Sequence, residues 1–219
     1  MMEVYPIYLN RLDKKKTVLI GGDHEAERKT GELLERNARL TVISPRLTGP
    51  MEKWAVETRF NWVQRTYRTG DLKGAFMVIV AEFEGTVNEQ VYQEAEQEGI
   101  LVNVMDDIPH CNFTFGSIVK RGPLTLSIST SGAAPTLAVR LRERFEKEFG
   151  EEYVPFLQFM QDLRKPMADT YPDFDKRKDL WYSLVDSGML TCFRKQDYEG
   201  AYKIASEIVG EEVVQKTFE

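Results

Sequence analysis

TVLIGGDHEAERKTGELL, residues 17–34, changes its period halfway along. Thr17-Val18-Leu19-Ile20 is a short β-branched apolar run, and Gly21-Gly22 ends it. From about Glu25 the spacing is helical: Ala26, Leu33 and Leu34 can share one face, with Glu27, Arg28 and Lys29 in the solvated turn. Strand, tight glycine turn and helix, in that order, open a parallel α/β sheet.

The same alternation continues outward. Leu40-Thr41-Val42-Ile43 reads as a second strand stopped by Ser44-Pro45, and Phe60-Asn61-Trp62-Val63 as a weaker third. Phe76-Met77-Val78-Ile79-Val80 is nearly continuous in apolar residues, as a strand covered on both faces must be. Val87, Val91 and Ala95 then stack as a helix stripe before another buried strand, Ile100-Leu101-Val102-Asn103-Val104. Strands separated by helices require crossovers, so a doubly wound parallel sheet is expected from about Thr17 to Met105.

After Asp106-Asp107 the pattern changes. Phe113 to Val119 and Leu124 to Thr130 read as two strands joined by the turn Lys120-Arg121-Gly122-Pro123. From Pro135 a helix carries Leu137, Val139, Leu141, Phe145 and Phe149 over more than one narrow stripe, as in a helix packed against both its own chain and a partner. Beyond Gly150, helical segments broken by Pro155, Pro166 and Pro172 suggest a small all-α tail. The expected fold is α/β: a Rossmann-like parallel-sheet domain over 1–112, a hairpin-plus-helix segment over 113–150, and a helical C-terminal domain over 151–219.

Composition narrows the function. The 219 residues are 42% hydrophobic and include 12 Phe, 9 Tyr and 3 Trp, enough for a proper core. Lys plus Arg number 29 against 35 Asp plus Glu, and the net charge of −6 disfavours nucleic acid as a partner. A local basic patch can still serve an anionic small molecule. Two cysteines, Cys111 and Cys192, support neither a disulfide framework nor a paired zinc site. The first residues lack signal-peptide order, and no apolar run approaches the roughly 20 residues that span a bilayer. A protein of a reducing compartment, without membrane or metal, is expected. His24 and His110 are the only histidines, which limits acid–base chemistry.

The junction after the first strand is where function first becomes legible. A dinucleotide fold needs a tight turn there, a bare backbone to approach the pyrophosphate, and a helix N-terminus aimed at the anion. Against G-x-G-x-x-G/A the chain offers Gly21-Gly22-Asp23-His24-Glu25-Ala26, with Asp23 in place of the second glycine. A turn entering a helix capped by Asp23 explains this stretch equally well. The second strand ends in Ser44-Pro45-Arg46 rather than in a ribose-binding acid, so the motif chooses neither NAD nor NADP. Asp106 and Asp107 follow the last parallel strand, at the edge where open α/β sheets hold ligands, and a carboxylate there can take a proton. A polar strand-end turn is the plainer alternative. His110 offers a second titratable group, and the SISTSG run over 127–132 before the Pro135 helix offers a carboxylate-binding corner or an ordinary helix cap.

Together these pieces resemble the precorrin-2 dehydrogenase family, also known as the siroheme synthase N-terminal module. The resemblance rests on YPIYLN (5–10), VLIGGDHEAERK (18–29), LTVISP (40–45), VNVMDD (102–107) and FTFGSIVKRGPLTLSISTSGAAPTLAVRLRE (113–143), the last being the most specific. It covers about Tyr5 to Glu148. It implies a cytoplasmic enzyme that oxidises precorrin-2 to sirohydrochlorin with NAD, as a homodimer in which the hairpin and long helix of each chain interlock, making 113–150 a dimerisation segment. It also implies that Asp106 is catalytic. Cofactor contacts would come from Gly21, Gly22, Asp23, His24, Glu25, Pro45, Arg46 and Glu82, and substrate contacts from Asn103, His110, Ser129 and Thr130. No metal ligands are implied, and the methyltransferase module of some relatives is not expected. The family's third glycine is Asp23 here, and Ala81-Glu82-Phe83-Glu84 stands where an A-T-x-D-like stretch is usual. Two other functions follow from the same residues: a dehydrogenase that also inserts iron, and a tetrapyrrole carrier whose dinucleotide site has lapsed.

Overall fold

A computed structural model describes residues 4–81 and 85–218, which form two compact units, one of residues 5–114 and one essentially of residues 115–218. The first holds a five-stranded parallel sheet. Its strands are β1 (Lys16–Ile20), β2 (Arg39–Ile43), β3 (Asn61–Val63), β4 (Met77–Val80) and β5 (Leu101–Val104), in the order β3-β2-β1-β4-β5. Register pairs Ile20 with both Ile43 and Val80, and Val80 with Val104, so the carboxyl ends of the inner strands lie level along one edge.

Successive side chains of a strand point to opposite faces, and the buried runs divide accordingly. Leu19, Val42 and Ile79 pack with Leu33 of α1 (His24–Leu34) and Met51 of α2 (Gly49–Val56). Val18, Ile20, Val78 and Val80 face the other way, onto Val91 and Ala95 of α3 (Gly85–Glu98). Helix α2 is absent from the sequence reading because its apolar pattern is weak and it buries only Met51 fully. Its start is marked locally by Thr48, whose hydroxyl accepts a hydrogen bond from the Met51 N–H, and by Pro50 in the first turn. Lys29 corrects the expected solvated turn. It is buried, with its stem laid against the core side of α1 and its ammonium 2.8 Å from Glu32.

Between β3 and β4 the chain runs as a loop rather than a helix, and polar groups hold it. Arg65 makes two 2.7 Å contacts to Asp71, holding that carboxyl below the usual carboxylate range. From α3, the buried Glu94 accepts hydrogen bonds from the Gly70 and Leu72 N–H groups at 2.8 and 3.0 Å, and from the Tyr67 hydroxyl. Burial and this neighbouring carboxylate push the Tyr67 hydroxyl upward. The Gly70 and Leu72 N–H groups are thereby satisfied without a ladder.

The second unit begins with an antiparallel hairpin, β6 (Ser117–Arg121) and β7 (Leu124–Ile128). The strands are shorter than expected at their outer ends. The turn is only Gly122-Pro123, with Gly122 at φ +53°, the conformation a II′ turn needs at its first central residue. Lys120 and Arg121 therefore belong to the strand. Helix α4 (Pro135–Glu148) follows, then α5 (Tyr153–Asp162), α6 (Arg164–Thr170), α7 (Phe174–Val185), α8 (Met189–Arg194), α9 (Tyr198–Val209) and α10 (Glu211–Gln215). Pro155 and Pro166 lie within the first turns of α5 and α6, where no N–H is needed, so they begin helices instead of breaking them. Phe156, Phe159, Leu163, Met167, Leu184, Met189 and Phe193 form this unit's own core.

Candidate functional site

Strand order reverses beside β1, so the carboxyl ends of β1 and β4 bound a topological switch point. Gly21 leaves β1 with φ +128°, its N–H donating to the Ile43 carbonyl at 3.0 Å. A Cβ on Gly21 would lie 2.7 Å from the Ala81 carbonyl oxygen after β4. A Cβ on Gly22 would lie 1.9 Å from the Arg46 carbonyl oxygen and 2.5 Å from Ser44 Oγ. The two glycines thus let three strand exits close on one another. Ser44 fixes the β2 exit: its hydroxyl donates to the Arg46 carbonyl at 2.6 Å, and its own carbonyl accepts from Trp62 Nε1 at 2.9 Å. Pro45 and Arg46 are exposed, and the Arg46 guanidinium pairs with no described residue.

Asp23 is the N-cap of α1. Its Oδ1 accepts hydrogen bonds from the Glu25 and Ala26 N–H groups at 3.1 and 2.9 Å. These are donors that a helix N-terminus would otherwise offer to an anion. The N–H groups of Gly22, Asp23 and His24 donate to no described residue and remain available. The His24 side chain is almost wholly exposed, and Glu25 is held by Arg28, whose guanidinium keeps that carboxyl below its ordinary range. Glu82, expected at this site, lies outside the described residues, as does Glu84.

Two strands away, roughly 10 Å at a spacing of about 4.8 Å per strand, β5 ends at Val104, and Asp106 follows two residues later. Asp106 has φ +59°, a left-handed conformation that Asp tolerates better than most residues. Its carboxylate is exposed and accepts no hydrogen bond from a described residue. The segment after it folds back along the outer edge of β5. Asn112 Oδ1 accepts from the Val102 N–H at 2.8 Å, and Asn112 N–H donates to the Val102 carbonyl at 3.0 Å. Asn103, expected to contact substrate, is nearly buried and donates to the Phe113 carbonyl at 3.0 Å. The Cys111 sulfur accepts from the Val104 N–H at 3.2 Å, and burial pushes this thiol up, away from nucleophilic use.

His110 joins this fold-back to α3. Its Nδ1 lies 2.8 Å from Asp107 and its Nε2 2.7 Å from Glu89, with the Tyr92 ring edge-on at 5.3 Å. The Asp107 carboxylate first, and Glu89 second, raise its pKa above 6.5. A raised folded-state pKa gives stability that is fully present below the unfolded value and is lost as pH rises through the folded one. The melting temperature of wild type should therefore exceed that of His110→Gln most near pH 6, and the gap should close as pH rises past the imidazolium's pKa. Paired melts across pH check this; a gap that widens with pH contradicts it.

Ser129 and Thr130 lie in the second unit. Ser129 Oγ accepts from the Ser131 N–H at 3.1 Å and Thr130 Oγ1 from the Ala134 N–H at 3.2 Å, with Ser131 and Gly132 at φ +52° and +79°. Both hydroxyls thus shape the approach to α4. Among the sheet-unit residues expected at the site, the strand ends bring Gly21, Gly22, Asp23, Pro45 and Arg46 around one switch point. Ser44, the Ala81 carbonyl and the Asp107–His110–Glu89 chain emerge only in three dimensions. Among the described residues there is no cluster able to hold a metal ion, and no helix is long and apolar enough to cross a membrane.

Residues 9–117 match a family model described as putative NAD(P)-binding, and residues 121–148 match one described as sirohaem biosynthesis protein central. The chain is 34% identical over 216 residues to siroheme synthase 1 of Aeromonas salmonicida, covering 98% of this chain and 46% of that protein. It is 32% identical over 200 residues to the siroheme synthase of Pseudoalteromonas translucida, covering 91% of this chain and 42% of that one. The chain therefore spans less than half the length of these curated relatives. The solved structure of SirC, precorrin-2 dehydrogenase, superposes with a TM-score of 0.78 at 23% identity, covering 94% of this chain and 98% of that one, which establishes a shared fold. By its two consecutive family matches and its alignment along nearly its whole length, the chain is similar to siroheme synthases, with a putative NAD(P)-binding part followed by a sirohaem biosynthesis central part.

Proposed function

We propose that the chain oxidises precorrin-2 to sirohydrochlorin, with NAD as the hydride acceptor and Asp106 as the proton acceptor. The observation that carries this reading is the Asp106 carboxylate, exposed and without a partner on a left-handed residue at the carboxyl edge of the sheet. The oxidation removes a hydride and a proton from the macrocycle. A bound nicotinamide ring supplies the place for the hydride. Asp106 takes the proton on a carboxylate oxygen, and its charge stabilises the cationic conjugated system that hydride loss creates. The Asp107–His110–Glu89 chain holds the turn that carries it.

The residues present fit a dinucleotide, with one alteration. The bare Gly21-Gly22 turn and the available N–H groups of Gly22, Asp23 and His24 would hold the diphosphate, and Arg46 offers a cation beside it. The donors on Glu25 and Ala26 are already spent on Asp23, whose charge opposes the anion. Asp23→Gly should therefore tighten NAD about tenfold, a change of about 1.4 kcal/mol, while glycine at the N-cap costs only a few tenths of a kcal/mol. Calorimetric titration of both proteins with NAD and NADP tests this. Absence of binding of either nucleotide to wild type removes the cofactor half of the proposal.

The exposed Leu137 and Val139 of α4 support a homodimer built through residues 113–150, because apolar side chains on an otherwise charged helix favour burial. Sedimentation velocity should give twice the 25.3 kDa chain mass. Both cysteines are free, as a cytoplasmic setting requires.

A further inference from the structure

A groove between α5 and α7 lies wholly within the second unit and has a volume of about 680 Å³. That is within the range of small-molecule sites, about 300–1,000 Å³. Its apolar wall is Leu157, Met160 and the half-buried Trp181; its polar groups are Gln161, Arg164 and Arg177. Among the described residues no carboxylate lines it, although the chain as a whole carries a net charge of −6. The two guanidiniums differ in preparation. Arg177 is pinned, its Nη1 donating to the Tyr171 and Pro172 carbonyls, which leaves Nε and Nη2 uncommitted to any described residue. Arg164 is exposed and pairs with no described residue.

Apolar side chains flanking an indole suit the face of a flat ring, and arginine forks suit carboxylates at its edge. We infer that this groove binds a macrocycle bearing peripheral carboxylates, the ring against Leu157, Met160 and Trp181 and the acids on Arg164 and Arg177. That the macrocycle is a tetrapyrrole rests on the proposed function; the chemistry of the groove does not. A neutral apolar ligand would leave both guanidiniums unused, and a simple inorganic anion would leave the wall unused.

The test is equilibrium dialysis of the full chain against uroporphyrin, a stable tetrapyrrole octacarboxylate, with Arg164→Gln, Trp181→Leu and Arg140→Gln compared with wild type. Arg164 and Arg140 are both exposed, so these variants should fold, and thermal melts verify it. Arg164→Gln and Trp181→Leu should each weaken uroporphyrin binding about tenfold, the loss of one charge-assisted contact or one stacking face. Arg140→Gln on α4 should bind as wild type. Unchanged binding in both groove variants overturns the inference. So does conversion of a dimer to monomer by Arg164→Gln, because the groove would then hold a second copy of the chain. Precorrin-2 oxidation assayed in parallel separates the two proposals: oxidation with no groove effect removes only this one, and groove binding with no oxidation removes only the dehydrogenase.

Discussion

Asp106→Asn is expected to lower the turnover of precorrin-2 by about 10²- to 10⁴-fold, the range for a lost general acid–base group, with little change in melting temperature. The asymmetry follows from the surroundings of this residue. Its carboxylate accepts no hydrogen bond from a described residue, so no native contact is broken when the charge is removed. Its backbone sits at φ +59°, where asparagine is as well tolerated as aspartate. A structural aspartate would behave in the opposite way, losing stability along with activity. Steady-state oxidation and thermal melts of the same preparation distinguish the two. A rate within about threefold of wild type would show that the proton leaves by another group, since general acid–base removal costs at least about a hundredfold.

Gly22→Ala should destabilise the sheet unit by about 3 kcal/mol, the upper end of overpacking costs, and abolish dinucleotide binding. The added Cβ would meet the Arg46 carbonyl oxygen at 1.9 Å and Ser44 Oγ at 2.5 Å. Rotating the hydroxyl away would break its 2.6 Å hydrogen bond to the Arg46 carbonyl, and the carbonyl itself is backbone. Relief therefore requires the β2 exit to move away from the β1 turn, which opens the crevice that would hold the cofactor. At about 2–4 °C per kcal/mol for a chain of this size, the melting transition should fall by roughly 10 °C. Gly49→Ala is the control, because nothing lies within 4 Å of the added carbon. Equal melting of the two variants would mean that the close approach at Gly22 is not a constraint on the fold.

The sheet was legible in the sequence because its strands are buried on both faces. Runs such as Phe76–Val80 and Ile100–Val104 admit few other readings, and the glycine pair fixes where the first helix begins. What escaped depends on contacts between residues far apart in the chain. The loop joining β3 to β4 carries no periodic signal, since its order comes from Glu94 on α3, more than twenty residues later. Lys29 looked solvated because a lysine stem can lie along a core without altering the apolar pattern. At Asp23 the sequence left a lapsed phosphate turn and a helix cap equally open. The hydrogen bonds to Glu25 and Ala26 show that it caps, while the neighbouring N–H groups stay available. His110 was recognisable as titratable, yet its partnership with Glu89 has no spacing that a linear reading detects. Asn103 carries a related lesson: the resemblance implies a substrate contact there, and its amide donates to the Phe113 carbonyl, securing the chain that folds back along β5.

The most direct test is anaerobic incubation of the purified chain with authentic precorrin-2 and NAD, following sirohydrochlorin and NADH together. One NADH formed per sirohydrochlorin, with the rate lost in Asp106→Asn, is the expected result. A folded wild-type protein that binds sirohydrochlorin but forms no NADH from precorrin-2 would contradict it, and would leave a tetrapyrrole carrier in place of a dehydrogenase.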